Sequence, residues 1–133
     1  MAHALGKLSP AEFEIMEAVW AHSGESGITE VLQRVNAVRE GEPLKRATVQ
    51  VQLRRLEEKG WLKHREDGRR FFYSATAGRE VASATLAGDL TERVFDGSCA
   101  ELVRCLFDHQ DVSSDEIARI RALLDKAESK AKG

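Results

Sequence analysis

The sequence predicts a mainly α-helical chain with one small β-hairpin. The N-terminal unit covers residues 1–75, and three helices follow over residues 76–133. Three observations predict it. Apolar residues recur at helical spacing along most of the chain. Two short strand patterns, the second rich in aromatics, flank Asp67-Gly68, a hairpin signal. Charge is uneven: residues 1–44 carry net −4, residues 45–75 net +5 and residues 76–133 net −3.

Ser9-Pro10-Ala11-Glu12 opens the first helix. Ser9 caps it, Pro10 suits the first helical position and Glu12 completes a capping box. Phe13, Met16, Val19 and Trp20 follow at helical spacing and are expected in the core, with the helix ending at His22-Ser23-Gly24. Gly27-Ile28 is expected to form a very short strand. Thr29 is the expected cap of a second helix whose apolar residues are Val31, Leu32, Val35 and Val38. Glu40 to Pro43 is a loop.

The stretch Lys45 to Lys59 is a third helix. Val49, Leu53 and Leu56 recur at i, i+4 and i+7 as one apolar stripe. Thr48, Val51, Arg54, Arg55 and Glu58 spread over the solvent arc. Lys45 and Arg46 sit at the entry, and Gly60 is the C-terminal stop. Trp61 to Arg65 and Arg70 to Ser74 are the hairpin strands, with Glu66 to Arg69 as the turn. Three short helices followed by a hairpin with a basic tip make a winged helix-turn-helix. Its third helix suits the major groove and its tip the backbone or minor groove. The residues expected to meet DNA are Lys45, Arg46, Thr48, Gln50, Val51, Arg54 and Arg55 on the helix. Lys63, Arg65, Arg69 and Arg70 are expected to do so on the wing. Tyr73 is expected to pack in the core with its hydroxyl at the edge; a phosphate contact is the alternative.

From Ala77 the pattern is all helix. Val81, Leu86, Leu90, Val94 and Phe95 line a long helix that Gly97 breaks. Ser98 to Glu101 and Ser113 to Glu116 are further capping boxes. Leu102, Val103, Leu106 and Phe107 give the next helix its apolar face, and Ile117, Ile120, Leu123 and Leu124 the last. Helices this short bury too little surface to stand alone. A second copy related by a two-fold axis is the simplest partner, and it matches a palindromic DNA site. Leu86, Leu90, Val94, Leu102, Leu106, Phe107, Ile117, Ile120 and Leu124 are the expected dimer contacts.

The 42% hydrophobic and 32% charged content describe an ordinary globular protein. No apolar run reaches membrane-spanning length and no signal peptide is visible, so a cytoplasmic location without membrane insertion is expected. Cys99 and Cys105 do not make a disulfide scaffold. No nucleophile motif, phosphate-cradling glycine loop or metal-protease signature is present, so neither enzymatic activity nor a cofactor is expected.

Four stretches together resemble a known family: LSPAEFEIMEAVW (Leu8 to Trp20), ATVQVQLRRLEEKGWL (Ala47 to Leu62), DGRRFFYSA (Asp67 to Ala75) and SSDEIARIRALLD (Ser113 to Asp125). With these, the chain resembles the penicillinase-repressor family of bacterial transcriptional regulators, the BlaI/MecI/CopY group, over nearly its whole length. The resemblance implies a homodimeric repressor bound to double-stranded operator DNA of dyad symmetry. It also implies release by a membrane-bound sensor-protease that cuts the repressor or, in the copper-responsive branch, by a metal. The antibiotic-responsive members are cut at an Asn-Phe bond. Aligned from Gly97-Ser98, that place is Cys105-Leu106 here, the candidate cleavage region. The paired Cys-x-Cys motifs of the copper branch have no counterpart after Ser113.

Two other readings stay open. One is a winged helix that binds proteins and not DNA. The other is a thiol- or metal-responsive repressor: Cys105 and His109, four apart, share a helix face with Cys99 nearby. Against a metal site, no third and fourth ligand is evident, and none is assigned.

Overall fold

The computed structural model describes residues 5–132. Its elements run α1 (Pro10–Trp20), α2 (Ile28–Val38), α3 (Arg46–Glu58), β1 (Leu62–Asp67), β2 (Arg70–Ala75), α4 (Arg79–Phe95), α5 (Cys99–His109) and α6 (Ser114–Lys132). Two compact units divide them, one running through Leu90 and one from Thr91 on.

The first unit is three helices closed by an antiparallel hairpin. α1 begins as its sequence dictates: Ser9 Oγ accepts from the Glu12 backbone N–H at 3.1 Å, and Glu12 Oε1 accepts from the Ser9 N–H at 2.8 Å. Ile15, Met16 and Val19 fill the centre with Val31 and Val35 of α2 and the α3 stripe Val49, Leu53 and Leu56. Phe13 and Trp20, expected inside, are half-buried at the rim. The reason for Trp20 is polar: its indole N–H needs an acceptor and donates to the Ala77 carbonyl at 2.9 Å. Val38 also leaves the core, 81% exposed in the last turn of α2.

Two local expectations fail between α1 and α2. Thr29 does not cap α2; Gly27 occupies that position, without a side-chain cap. The Thr29 hydroxyl instead accepts from Arg46 Nη1 at 3.0 Å. Nor do Gly27 and Ile28 form a strand. The pairing falls one residue earlier, where Ser26 exchanges both backbone hydrogen bonds with Tyr73 at 2.9 and 2.8 Å. Gly27 is still extended but already serves as the N-cap of α2, which leaves Ser26 as the residue that pairs with the wing.

The hairpin pairs Leu62 with Ala75, His64 with Tyr73, Arg65 with Phe72 and Asp67 with Arg70. Its two-residue loop is therefore Gly68-Arg69, with Gly68 at φ +66°, and not Asp67-Gly68. Positive φ at the first loop residue alone, with glycine there, is the requirement of the type II′ turn, whose twist matches that of the strands. Alternation puts Leu62, His64, Phe71 and Tyr73 on one face and Lys63, Arg65, Arg70 and Phe72 on the other. The unit does not stop at the hairpin: Ala82 of α4 is fully buried in the same core, and Leu86 packs against it.

In the second unit, Asp96 and Gly97 take positive φ after α4. Ser98 and Ser113 cap α5 and α6, each accepting at 3.1 Å from the backbone N–H three residues on. Neither α5 nor α6 has a fully buried residue. Leu106, Phe107, Ile117, Leu123 and Leu124 are all exposed, from 37% at Ile117 to 65% at Leu123. Leu102 and Ile120 are half-buried.

Candidate nucleic-acid interface

α3 separates its two sides cleanly. Val49, Leu53 and Leu56 are fully buried, while Thr48, Gln50, Val51, Arg54 and Arg55 face solvent. The entry is fixed by a residue that periodicity does not flag. Asn36, in the last turn of α2, donates to the Leu44 carbonyl at 3.0 Å and accepts from its N–H at 2.8 Å. The first turn carries no acidic residue, and Lys45 at the cap offers no side-chain acceptor. Two cations at the positive end of a helix dipole are mutually unfavourable, and an incoming anion relieves both.

The far end of α3 sets the wing. Gly60 takes φ +89° and donates to the Glu57 carbonyl at 3.0 Å, and the Trp61 N–H reaches the Leu56 carbonyl at 2.9 Å. This is a Schellman turn, closed by contact between buried apolar residues on either side of it. Trp61 is fully buried and donates its indole N–H to the Gly6 carbonyl at 2.8 Å. A second tie joins the hairpin to α3: His64 Nδ1 and Glu57 Oε2 lie 2.5 Å apart, and the imidazole stacks on Phe71 at 4.2 Å.

The expected contact residues are not equally placed. Lys45, Arg54, Arg55, Lys63 and Arg69 have no ion pair among the described residues and stand exposed. Arg54 and Arg55 do not pair with Glu57 and Glu58. Arg46 and Arg69 flank a cleft of about 230 Å³ between the wing and the N-terminal ends of α2 and α3. Arg65 turns the other way. Its Nε donates to both oxygens of Glu25 at 2.8 and 2.7 Å, a contact that raises its already high pKa. Arg70 lies 3.4 Å from Glu30. The two guanidiniums also share the Phe72 ring, at 5.0 and 5.2 Å from its centroid. Tyr73 is buried, and burial, then the charge of Glu57, pushes its hydroxyl pKa up.

No group of three or more metal-ligating side chains converges among the described residues. His109 Nδ1 lies 3.0 Å from the Cys105 carbonyl, so the Cys105/His109 spacing is used by a backbone contact. Both cysteines are free. No helix among the described residues is long and apolar enough to cross a membrane.

A buried-stripe helix with an exposed basic face, joined by a rigid turn to a cationic hairpin, defines a winged-helix protein of the DNA-binding class. The penicillinase repressor family model matches residues 8–126, and the chain belongs to that family. It is 25% identical to the penicillinase repressor of Bacillus licheniformis over 126 residues, 95% of each chain. It is 23% identical to the methicillin resistance regulatory protein MecI of Staphylococcus aureus over 120 residues, 90% of this chain and 94% of that one. Among solved structures, the DNA-binding domain of the repressor BlaI is 30% identical with a TM-score of 0.49. That match covers 59% of this chain and 90% of the domain.

Proposed function

We propose that this chain is a dimeric transcriptional repressor that binds a dyad-symmetric operator and is released by an upstream signal. The observation that carries the DNA reading is the face of α3: five exposed residues, two of them unpaired arginines, mounted on a stripe that is wholly buried. In this reading α3 enters the major groove. Arg54 and Arg55 reach base edges or flanking phosphates, and Lys45, Arg46 and Arg69 hold the backbone. Residues 1–75 read DNA, the first half of α4 packs on that unit through Ala82 and Leu86, and the helical segment beyond it dimerises. The exposed apolar side chains of α5 and α6 support the dimer, since such a face is costly in water. Release by a sensor-protease at Cys105–Leu106 requires α5 to open first, because that bond lies inside the helix.

The test is a titration of the protein on its own upstream DNA and on random DNA, at low and physiological salt. Tight, selective binding with a two-fold footprint is expected. Arg55→Ala should weaken the operator selectively. Arg69→Ala should weaken all DNA and reduce the salt slope by about one. Wild-type binding by both variants would show that the assigned face is wrong. Absence of binding even at low salt would favour a protein-binding winged helix.

Glu25 gives an independent prediction. Its carboxylate occupies the Arg65 guanidinium, which would otherwise be open to a phosphate. Glu25→Gln should therefore tighten binding at low salt and steepen the salt slope by about one. An unchanged slope would mean that Arg65 stays off the backbone.

A further inference from the structure

We propose that the cleft between the wing and the N-terminal ends of α2 and α3 binds a small aromatic carboxylate, whose occupancy competes with DNA. The competition rests on the DNA reading above; the binding itself does not.

The cleft has the charge for an anion. Arg46, Arg69 and Arg70 all line it, and no carboxylate does. Three guanidiniums around one space repel one another. Glu30, outside the lining, offsets only one of them, at 3.4 Å from Arg70. Arg46 is already oriented by its hydrogen bond to the Thr29 hydroxyl at 3.0 Å. The floor adds little to this: α2 starts there with Gly27 as its cap, and Glu30 in its first turn offsets the partial positive charge of the helix end, so the three guanidiniums carry the attraction.

Size and wall chemistry narrow the anion. About 230 Å³ is below the roughly 300–1,000 Å³ of pockets for drug-sized molecules, which leaves room for a single ring. Phe71 and Tyr73 form one wall, their rings 6.4 Å apart at 59°. Phe71 is braced by its stack on His64 and remains 41% exposed. An inorganic anion would use the cations and leave this wall wet. A ring bearing a carboxylate uses both, with guanidinium–carboxylate hydrogen bonds at one end and ring contacts at the other. The residues it would occupy include Arg46, Gln50 and Arg69, all assigned to DNA.

The experiment is calorimetric titration of the full chain, without DNA, at constant ionic strength. The probes are benzoate, cyclohexanecarboxylate and inorganic phosphate. Benzoate should bind saturably, one per chain, and at least tenfold tighter than either other probe. Phe71→Ala should remove that preference, and Arg46→Gln should weaken every anion. In the presence of DNA, saturating benzoate should raise the apparent dissociation constant at least tenfold. Equal binding of phosphate and benzoate, or benzoate binding indifferent to both variants, overturns the proposal and leaves a plain phosphate seat. Lack of saturable binding by any probe overturns it too. Benzoate binding in a protein that ignores DNA would remove only the competition, so failure of the two readings is distinguishable.

Discussion

Trp61→Ala should cost the winged-helix unit about 3–5 kcal/mol, the range for emptying a buried tryptophan site. The ring is wholly buried, and its N–H holds the Gly6 carbonyl. It also sits immediately after the turn that ends α3, so the cavity opens between helix and wing. In a unit of this size the loss should lower the melting temperature by more than about 10 °C. Trp61→Phe keeps much of the apolar contact and loses the hydrogen bond and part of the ring volume, so it should cost markedly less, about 1–3 kcal/mol. Urea unfolding of both variants checks this. If the two substitutions cost the same, the hydrogen bond and not the packing would be the anchor.

The second large effect concerns Glu12 and Lys59. The Glu12 side chain is only 4% exposed, and Lys59 Nζ donates to it at 2.7 Å. Burial pushes the Glu12 carboxyl up. The hydrogen bonds from Lys59 and from the Ser9 backbone and hydroxyl outweigh that, and the net pKa is lowered. A carboxylate with a lowered folded-state pKa stabilises the fold fully above its unfolded value, and that contribution is lost as pH falls through the folded one. Lys59→Met leaves a buried carboxylate without its counter-ion. The cost at neutral pH should be about 1–3 kcal/mol, below the full range for a broken buried pair because Lys59 keeps some solvent contact. The sign of the pH response should also invert. In the variant the Glu12 pKa rises, so acidification should narrow the gap to wild type. Melts between pH 4 and pH 8 would decide; a gap that stays constant across that range would rule out Glu12 as its source.

Legibility followed the range of the interaction. The stripe of α3 and the three serine caps were readable because their partners lie within one or two turns of the chain. So was the wing, since an Asp-Gly flanked by strand patterns is local information, though register moved the loop to Gly68-Arg69. The Ser26 bridge was not readable, because a single extended residue has no period. Thr29 looked like a cap because its type is right for one; only Arg46, seventeen positions on, shows where its hydroxyl is used. Within the site, residue type and charge gave the candidate cations. They could not separate exposed Arg69 from Arg65, since the carboxylate that holds Arg65 lies forty positions away. Asn36 escaped for the same reason, as one amide among the polar residues of a helix end.

The division of α3 has a consequence for how such proteins diverge. Side chains at Thr48, Val51, Arg54 and Arg55 are exposed and lie off the stripe that holds the helix down. Substitutions there should shift stability by no more than about 0.5 kcal/mol. A lineage can therefore change these four residues freely and drift between DNA sequences without passing through an unfolded ancestor. The opposite holds for Val49, Leu53, Leu56 and Trp61, where most changes are lethal to the fold before they can alter what it reads. Duplicated copies in one genome would be expected to keep the second set and scatter in the first, each copy acquiring its own promoters while sharing one scaffold.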